Sequence, residues 1–225
     1  MYRTYELYPF KVEFLFMRNN NYIIVDKATN QAAIVDPAWN LDKIKDEIHK
    51  LGVNLTTILL THSHHDHVNK VDEILKQYSA RVYMSAVEAK YYGFECGNLQ
   101  TVQDGEVIQL GKTHITCLLT PGHTAGGICF LLTDDLISGD TLFIEGCGTC
   151  DNSGGSPEQM YKSFQKIRDV IPSHVRVYPG HTYSKDPGVP LDLVMATNIY
   201  FQFETEEQFV KFRMRKNQKN LFNFK

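Results

Sequence analysis

No stretch of this 225-residue chain approaches the roughly 20 consecutive apolar residues of a membrane-spanning helix, so no membrane span is expected. The opening MYRTYELYPF has no apolar core of the kind a secretory signal carries, so export is not expected either. Positive charge is not in excess. The chain has 23 basic and 26 acidic residues and a net charge of −3, which argues against a general nucleic-acid binder. Cysteine is sparse and odd in number. Cys96, Cys117, Cys129, Cys147 and Cys150 show no spacing that suggests a disulfide framework, so a reducing cytoplasm is expected. There is no repeat of solenoid period and no low-complexity tract. What remains is 43% hydrophobic and 22% charged, the balance of an ordinary globular protein.

The local patterns alternate between strand and helix. VEFLFMRNNNYIIVD (12–26) reads as two β-rich runs around an Asn-rich turn, and AAIVD (32–36) as a third strand. Leu41, Ile44, Ile48 and Leu51 recur at helical spacing before Gly52, a natural C-terminal stop. TTILLTH (56–62) is a buried strand, and Val71, Leu75 and Tyr78 begin another helical stripe. Residues 106–119 and 127–139 divide into four short strands at Gly111, Pro121–Gly122 and Asp134–Asp135. Ser156-Pro157-Glu158-Gln159 is a capping box with proline in the first turn, ahead of Met160, Phe164, Ile167 and Ile171. VRVYPGH (175–181) is a last strand, and YSKDPGVP (183–190) reads as a linker to a helix capped at Thr205. Several strand pairs are too close for a crossover helix and must be antiparallel hairpins. The expectation is mixed sheets covered by helices, with a domain over 1–185 and a short helical extension over 186–225.

The stretch LLTHSHHDHV (59–68) places four histidines and an aspartate within six residues, where a strand gives way to a loop. Imidazole nitrogen and carboxylate oxygen suit zinc and similar divalent metals. On a regular strand, residues 62, 64 and 66 share a face; past its end, 66 and 67 can turn toward a second point. One cluster could feed two metals about 3.5–4 Å apart. Three later positions repeat the pattern of a ligand-type residue after an apolar strand and beside glycine: His123, Asp140 and His181. His65 has no place in this pattern, and Cys147-x-x-Cys150 has no second CxxC to complete a zinc knuckle.

The ordered set His62-x-His64-x-Asp66-His67, His123, Asp140 and His181 resembles the metallo-β-lactamase superfamily. TPGHTAGG (120–127), SGDTLFIEGCG (138–148) and YPGHTY (178–183) resemble its glyoxalase II-like thioesterase branch. The resemblance implies a four-layer αββα sandwich of class α/β (α+β). It implies one metal on His62, His64 and His123, a second on Asp66, His67 and His181, and Asp140 bridging both. Zinc is expected, with iron or manganese as alternatives. Asp66 would orient the attacking hydroxide, which metal coordination forms near neutral pH rather than at the roughly 15.7 of bulk water.

Members of that branch that act on hydroxyacyl-glutathione carry a basic residue after the GCG, where this chain has Thr149, and an aromatic where it has Asp151. Tyr183 matches the branch. The loop GCGTCDNSGGSPEQMYKSFQ (146–165) is instead similar to that of stand-alone hydrolases associated with polyketide synthases. That similarity implies hydrolysis of acyl groups from the phosphopantetheine of an acyl carrier protein, or of a small acyl thioester. A thiolate, with a thiol pKa near 8.5, leaves without a proton from the enzyme. Thr149, Cys150, Tyr183, Arg213 and Lys216 are the expected substrate contacts. Arg213 and Lys216 belong to a basic run with Lys211, Arg215 and Lys219 that would dock an acidic carrier. Glyoxalase II activity is the first alternative. The second is an iron persulfide dioxygenase using His62, His123 and Asp140, a family whose Arg after GCG is absent here.

Overall fold

The computed structural model describes residues 2–216 and 218. Its first half runs β1 (Tyr5–Phe14), β2 (Met17–Asp26), β3 (Gln31–Val35), α1 (Leu41–Leu51), β4 (Asn54–Leu59), α2 (His65–Val68), α3 (Val71–Leu75), β5 (Arg81–Ser85), α4 (Ala86–Tyr92) and β6 (Leu99–Val102). The second half runs β7 (Val107–Leu110), β8 (Thr113–Leu119), β9 (Ile128–Leu131), β10 (Asp135–Gly139), α5 (Pro157–Val170), β11 (Arg176–Pro179), β12 (Val189–Pro190), α6 (Leu191–Thr197) and α7 (Glu206–Arg213), with a 3-10 turn at Ile199–Phe201.

Each half makes its own six-stranded sheet, in the orders β1-β2-β3-β4-β5-β6 and β12-β11-β10-β9-β8-β7. Strand neighbours in space are neighbours in sequence. Short connections give antiparallel pairs, such as β1 with β2 and β7 with β8. Helical crossovers give the parallel pairs β3–β4, β4–β5 and β10–β11.

The period-2 alternation of the strands sorts side chains into layers. Ile23, Ile34 and Ile58 face a helical layer and pack with Ile44 and Ile48 of α1 and Ile74 of α3. Their neighbours Ile24, Val35 and Leu59 face the other way and meet Ile115, Phe130 and Ile137 of the second sheet. The outer face of that sheet, through Leu118, Cys129, Leu136 and Val177, covers Met160, Phe164 and Ile167 of α5. The architecture is the expected αββα sandwich. Gly52, Ser156 and Thr205 cap as the sequence indicates, Gly52 ending α1 at φ 63° and the two hydroxyls starting α5 and α7; the structure adds Asn40, whose side chain accepts from Lys43 N at the start of α1.

Two details differ from expectation. The asparagine run is not a turn. Asn19, Asn20 and Asn21 lie inside β2 and are buried, and the hairpin reverses at Leu15–Phe16 instead. Burial is possible because each amide nitrogen finds an acceptor; Asn20, for example, donates to Pro179 O (2.9 Å) of the other sheet and Thr182 Oγ1 (3.0 Å) of the loop after it. Residues 183–190 are also more than a linker, since Val189 and Pro190 pair with Val177 and Arg176 to close the second sheet. Beyond them Leu191, Val194, Tyr200 and Phe209 enter the core around Phe164. Among the described residues no helix is long and apolar enough to cross a membrane.

One carboxylate ties the sheets together away from the site. Asp26, fully buried at the end of β2, accepts from Thr29 N (2.9 Å), Thr29 Oγ1 (2.6 Å), Lys112 N (3.0 Å) and Thr113 Oγ1 (2.8 Å). Burial disfavours its charge, but these four donors outweigh that and hold its pKa below the usual value. A lowered folded-state pKa contributes stability above the unfolded value, about 3.9, and that contribution is lost as pH falls through it. Asp26→Ala is expected to destabilise the fold by roughly 2–4 kcal/mol in urea unfolding at pH 7, and to flatten the acid limb of the stability profile below about pH 4.

Candidate metal centre

The C-terminal ends of β4, β8, β10 and β11 open on the same rim, and each delivers part of one cluster. The loop after β4 carries His62 and His64 and turns into α2, which carries Asp66 and His67. The loops after β8, β10 and β11 carry His123, Asp140 and His181. Two groups of three result: His62, His64 and His123, and Asp66, His67 and His181, with the ligand atoms of each group within 4.8 Å of one another. Asp140 stands between them. Its Oδ2 lies 3.6 Å from His123 Nε2 and 3.4 Å from His181 Nε2, and its Oδ1 lies 3.6 Å from His67 Nε2. Close approach of backbone makes this possible at two glycines. A Cβ on Gly148 would lie 2.2 Å from Asp140 O, and one on Gly180 would lie 2.4 Å from Asp140 Oδ1.

The cluster fits divalent metal by its unmet hydrogen bonds. His62 Nε2, His67 Nε2 and Asp140 Oδ1 are buried with no hydrogen-bond partner. Buried polar atoms are rarely left so. Buried ligand-type atoms left without partners are what a cation site provides, and imidazole with carboxylate is a zinc-type donor set. Asp36, His62 and His67 also come within reach of one another. Asp36, however, is already engaged by Thr61 N (2.8 Å), Thr61 Oγ1 (2.6 Å) and His67 Nδ1 (2.9 Å), so it orients a ligand rather than serving as one.

A family model described as the metallo-beta-lactamase superfamily matches residues 16–181. The chain belongs to that superfamily. It is 49% identical, over the whole of both chains, to the probable polyketide biosynthesis zinc-dependent hydrolase BaeB of Bacillus velezensis. It is 48% identical to the corresponding PksB of Bacillus subtilis over 99% of each chain. A hydroxyacylglutathione hydrolase of Tolumonas auensis is 37% identical over 77% of this chain and 66% of its own. Among solved structures, a metallo-beta-lactamase from Staphylococcus aureus superposes with a TM-score of 0.84 at 26% identity, over 96% of this chain and 68% of that one.

In this superfamily member the imidazoles are held by a second set of bonds. His123 Nδ1–H donates to Thr149 O (2.7 Å) and His181 Nδ1–H to Arg18 O (2.8 Å), which leaves Nε2 facing the cluster in both. Asn19 donates to Asp66 O (2.9 Å) and Asp66 Oδ2 (3.1 Å), and accepts from Trp39 Nε1 (2.7 Å). Glu88, fully buried on α4, accepts from Ser63 N and Oγ (both 2.8 Å) and from Gly126 N (2.9 Å), and so braces the two loops that hold the three-histidine group. Sequence reasoning missed Asp36, Asn19 and Glu88. Asp36 had a signal: it ends an apolar strand, as Asp140 does. Asn19 was concealed by its triplet, and a lone glutamate in AVEAKYY carries no signal.

Beside the cluster lies a cavity of about 310 Å³ lined by Met17, His65, Phe143, Thr149, Asn152 and Tyr183 together with His64, Asp66, His123, Asp140 and His181 of the cluster. Thr149 and Tyr183 thus sit where substrate contacts were expected, and Lys216 is exposed. Cys150 and Arg213 are corrections. Cys150 is 3% exposed and belongs to the core around Phe164. Arg213 falls four residues after Phe209 on the inward face of α7; it is 4% exposed, and its guanidinium donates to Tyr200 Oη (2.9 Å). It is no part of an exposed basic surface. Lys219 lies outside the described residues.

The two groups differ electrically. Burial keeps His62 and His64 below the usual imidazole pKa and brings His123 down to about 4, so all three are neutral donors at pH 7. Burial works the same way on His67 and His181 but is outweighed. The carboxylates of Asp66 and Asp140 draw His67 up to about 9, and Asp140 with Asp66 draws His181 up to about 10. The same pairing overcomes burial at Asp66 and Asp140 and holds both well below the usual carboxylate range. Metal entering the second group must displace protons, so affinity there rises with pH toward 9–10. Titration of metal-free protein with zinc at pH 7 in weak buffer is expected to show two phases: one with little proton release, and one releasing about two protons per ion.

Proposed function

We propose that the chain is a zinc-dependent hydrolase of polyketide biosynthesis that cleaves acyl thioesters, and that its substrate is an acyl group on the phosphopantetheine arm of an acyl carrier protein. The full-length similarity to the BaeB and PksB hydrolases supports the pathway and the metal. The lining of the cavity carries the choice of thiol. Among the described residues no lysine or arginine lines it. Glutathione brings two carboxylates that would meet no cation there, whereas pantetheine is a neutral amide chain whose polar groups suit Thr149 and Asn152. The exposed Lys211, Arg215 and Lys216 at the end of α7 offer positive charge to an acidic carrier outside the cavity.

His62, His64 and His123, and Asp66, His67 and His181, with Asp140 between the two groups, would hold divalent metal that would supply Lewis acidity at the thioester carbonyl and an activated water. The chain's own residues supply the geometry. Asp66, fixed by Asn19, orients the water by accepting a hydrogen bond from it. Phe143 and Tyr183, with rings 5.1 Å apart, shield the reacting carbonyl from bulk water. Water adds to the carbonyl carbon, the C–S bond breaks with its electron pair going to sulfur, and the products are a carboxylate and a thiolate, with the two protons of water released to solvent. The thiolate leaves without a general acid.

Three measurements test this. Zinc-loaded enzyme is given one acyl group on two thiols, a carrier protein and glutathione. A strong preference for the carrier is expected, and a preference for glutathione would make the protein a short-tailed glyoxalase II. In the same assay Arg215→Glu/Lys216→Glu should raise KM for the carrier several-fold and leave a small acyl thioester unaffected; equal effects on both would remove the docking surface. Asp66→Ala is expected to lower kcat by about 100-fold or more, and retention within a few-fold would contradict the two-metal arrangement.

A further inference from the structure

The loop between β3 and α1 carries two strained residues. Asp36 and Trp39 take φ 49° and 60°, the left-handed region that suits glycine or asparagine and costs a bulky side chain. Trp39 is the chain's only tryptophan, and no residue is larger. Its backbone is held from the end of α2, the short helix that carries Asp66 and His67. Trp39 N donates to Asn69 Oδ1 (2.9 Å), and Lys70 N donates to Pro37 O (3.2 Å). Such strain persists where the surroundings over-determine it, and it gathers at functional sites. Asp36 already has a task there, the orientation of His67.

The indole of Trp39 has one polar atom, and Nε1–H can only donate. It donates to Asn19 Oδ1 (2.7 Å). Asn19 is 1% exposed, so its amide must find partners within the protein. With Oδ1 taken by the indole, Nδ2 faces Asp66 and donates to both its main-chain O (2.9 Å) and its Oδ2 (3.1 Å). Turning the amide over would set N–H against N–H at Trp39 and oxygen against two oxygens at Asp66. Asp66 Oδ2 is the oxygen that lies 3.3 Å from His181 Nε2 and 3.5 Å from His67 Nε2. We propose that Trp39 is a positioning residue of the second ligand group: its indole N–H locks the Asn19 amide, and the locked amide fixes the Asp66 carboxylate for metal and for the attacking water. The part concerning water rests on the hydrolase reading above; the hold on Asp66 does not.

Trp39→Phe keeps an aromatic ring between Phe14 and His65 and removes the N–H. In zinc titration of the metal-free variant, the proton-releasing phase is expected to weaken about tenfold and the other phase to stay within about twofold. With a small acyl thioester, kcat is expected to fall about tenfold with KM within about twofold. Trp39→His, whose Nε2–H occupies the ring position of the indole Nε1–H, should return the zinc phase to within about threefold of wild type. Trp39→Phe/Asn19→Ala should lose no more than Asn19→Ala alone, because the indole acts through the amide. An unchanged proton-releasing phase in Trp39→Phe, a histidine variant no better than the phenylalanine one, or losses that multiply in the double variant would each overturn the proposal. So would equal weakening of both zinc phases, which would make Trp39 a packing residue. The expected zinc pattern in a protein that hydrolyses no thioester would remove the functional reading and leave the role of Trp39 standing.

Discussion

Everything about this molecule turns on Asp140, a carboxylate 8% exposed between two sets of imidazoles. A buried charge of this kind is costly unless it is paired and hydrogen-bonded. It is tolerable here because His67 and His181 on one side carry positive charge toward it, and His123 faces it on the other. A bound metal would supply that positive charge in place of the protons. The fold is arranged so that four strand ends from two sheets reach this one carboxylate. That explains why the packing between the sheets matters for chemistry as well as for stability.

The ligands are only as precise as the bonds behind them. Asp36 connects His67 and, through Thr61, His62, so one carboxylate sets the angles of ligands from both groups. Asn19 links Asp66 to Trp39, and Trp39 to the hairpin through Phe14. Glu88 fastens the Ser63 loop to the Gly126 loop from a helix outside the sheets. The loop carrying Thr149 holds His123 through its carbonyl and is itself held by Asn198, whose amide donates to Phe143 O (3.0 Å) and Gly146 O (2.9 Å). The segment after residue 186 therefore reaches the metal ligands through two hydrogen-bonded steps.

The clustering of metal-ligand residue types was legible in the sequence because metal chemistry restricts residue type severely. Few side chains serve, and here histidine and acid recur after apolar strands beside glycines that permit close approach. The layers were legible because alternation in the strands and capped helical stripes are local patterns. The partners behind the ligands were not legible. Asn19, Asp36 and Glu88 are single polar residues whose role depends on what lies opposite them, 47, 31 and 25 residues away in sequence. The same limit produced the error at the asparagine run, where three residues that favour turns are satisfied across a sheet interface.

The sequence by itself determined the chemistry available: which atoms can hold metal, in what order, on which strand ends. It did not determine orientation. Arg213 reads as a surface cation beside Lys216, and the tertiary packing of α7 on Phe164 and Tyr200 turns it inward, because a helix face is assigned by what it packs against. The sequence likewise names Trp39 without saying that its backbone is strained and its indole faces Asn19. Only the three-dimensional arrangement decides that, since conformation and adjacency are properties of the folded chain rather than of the residues.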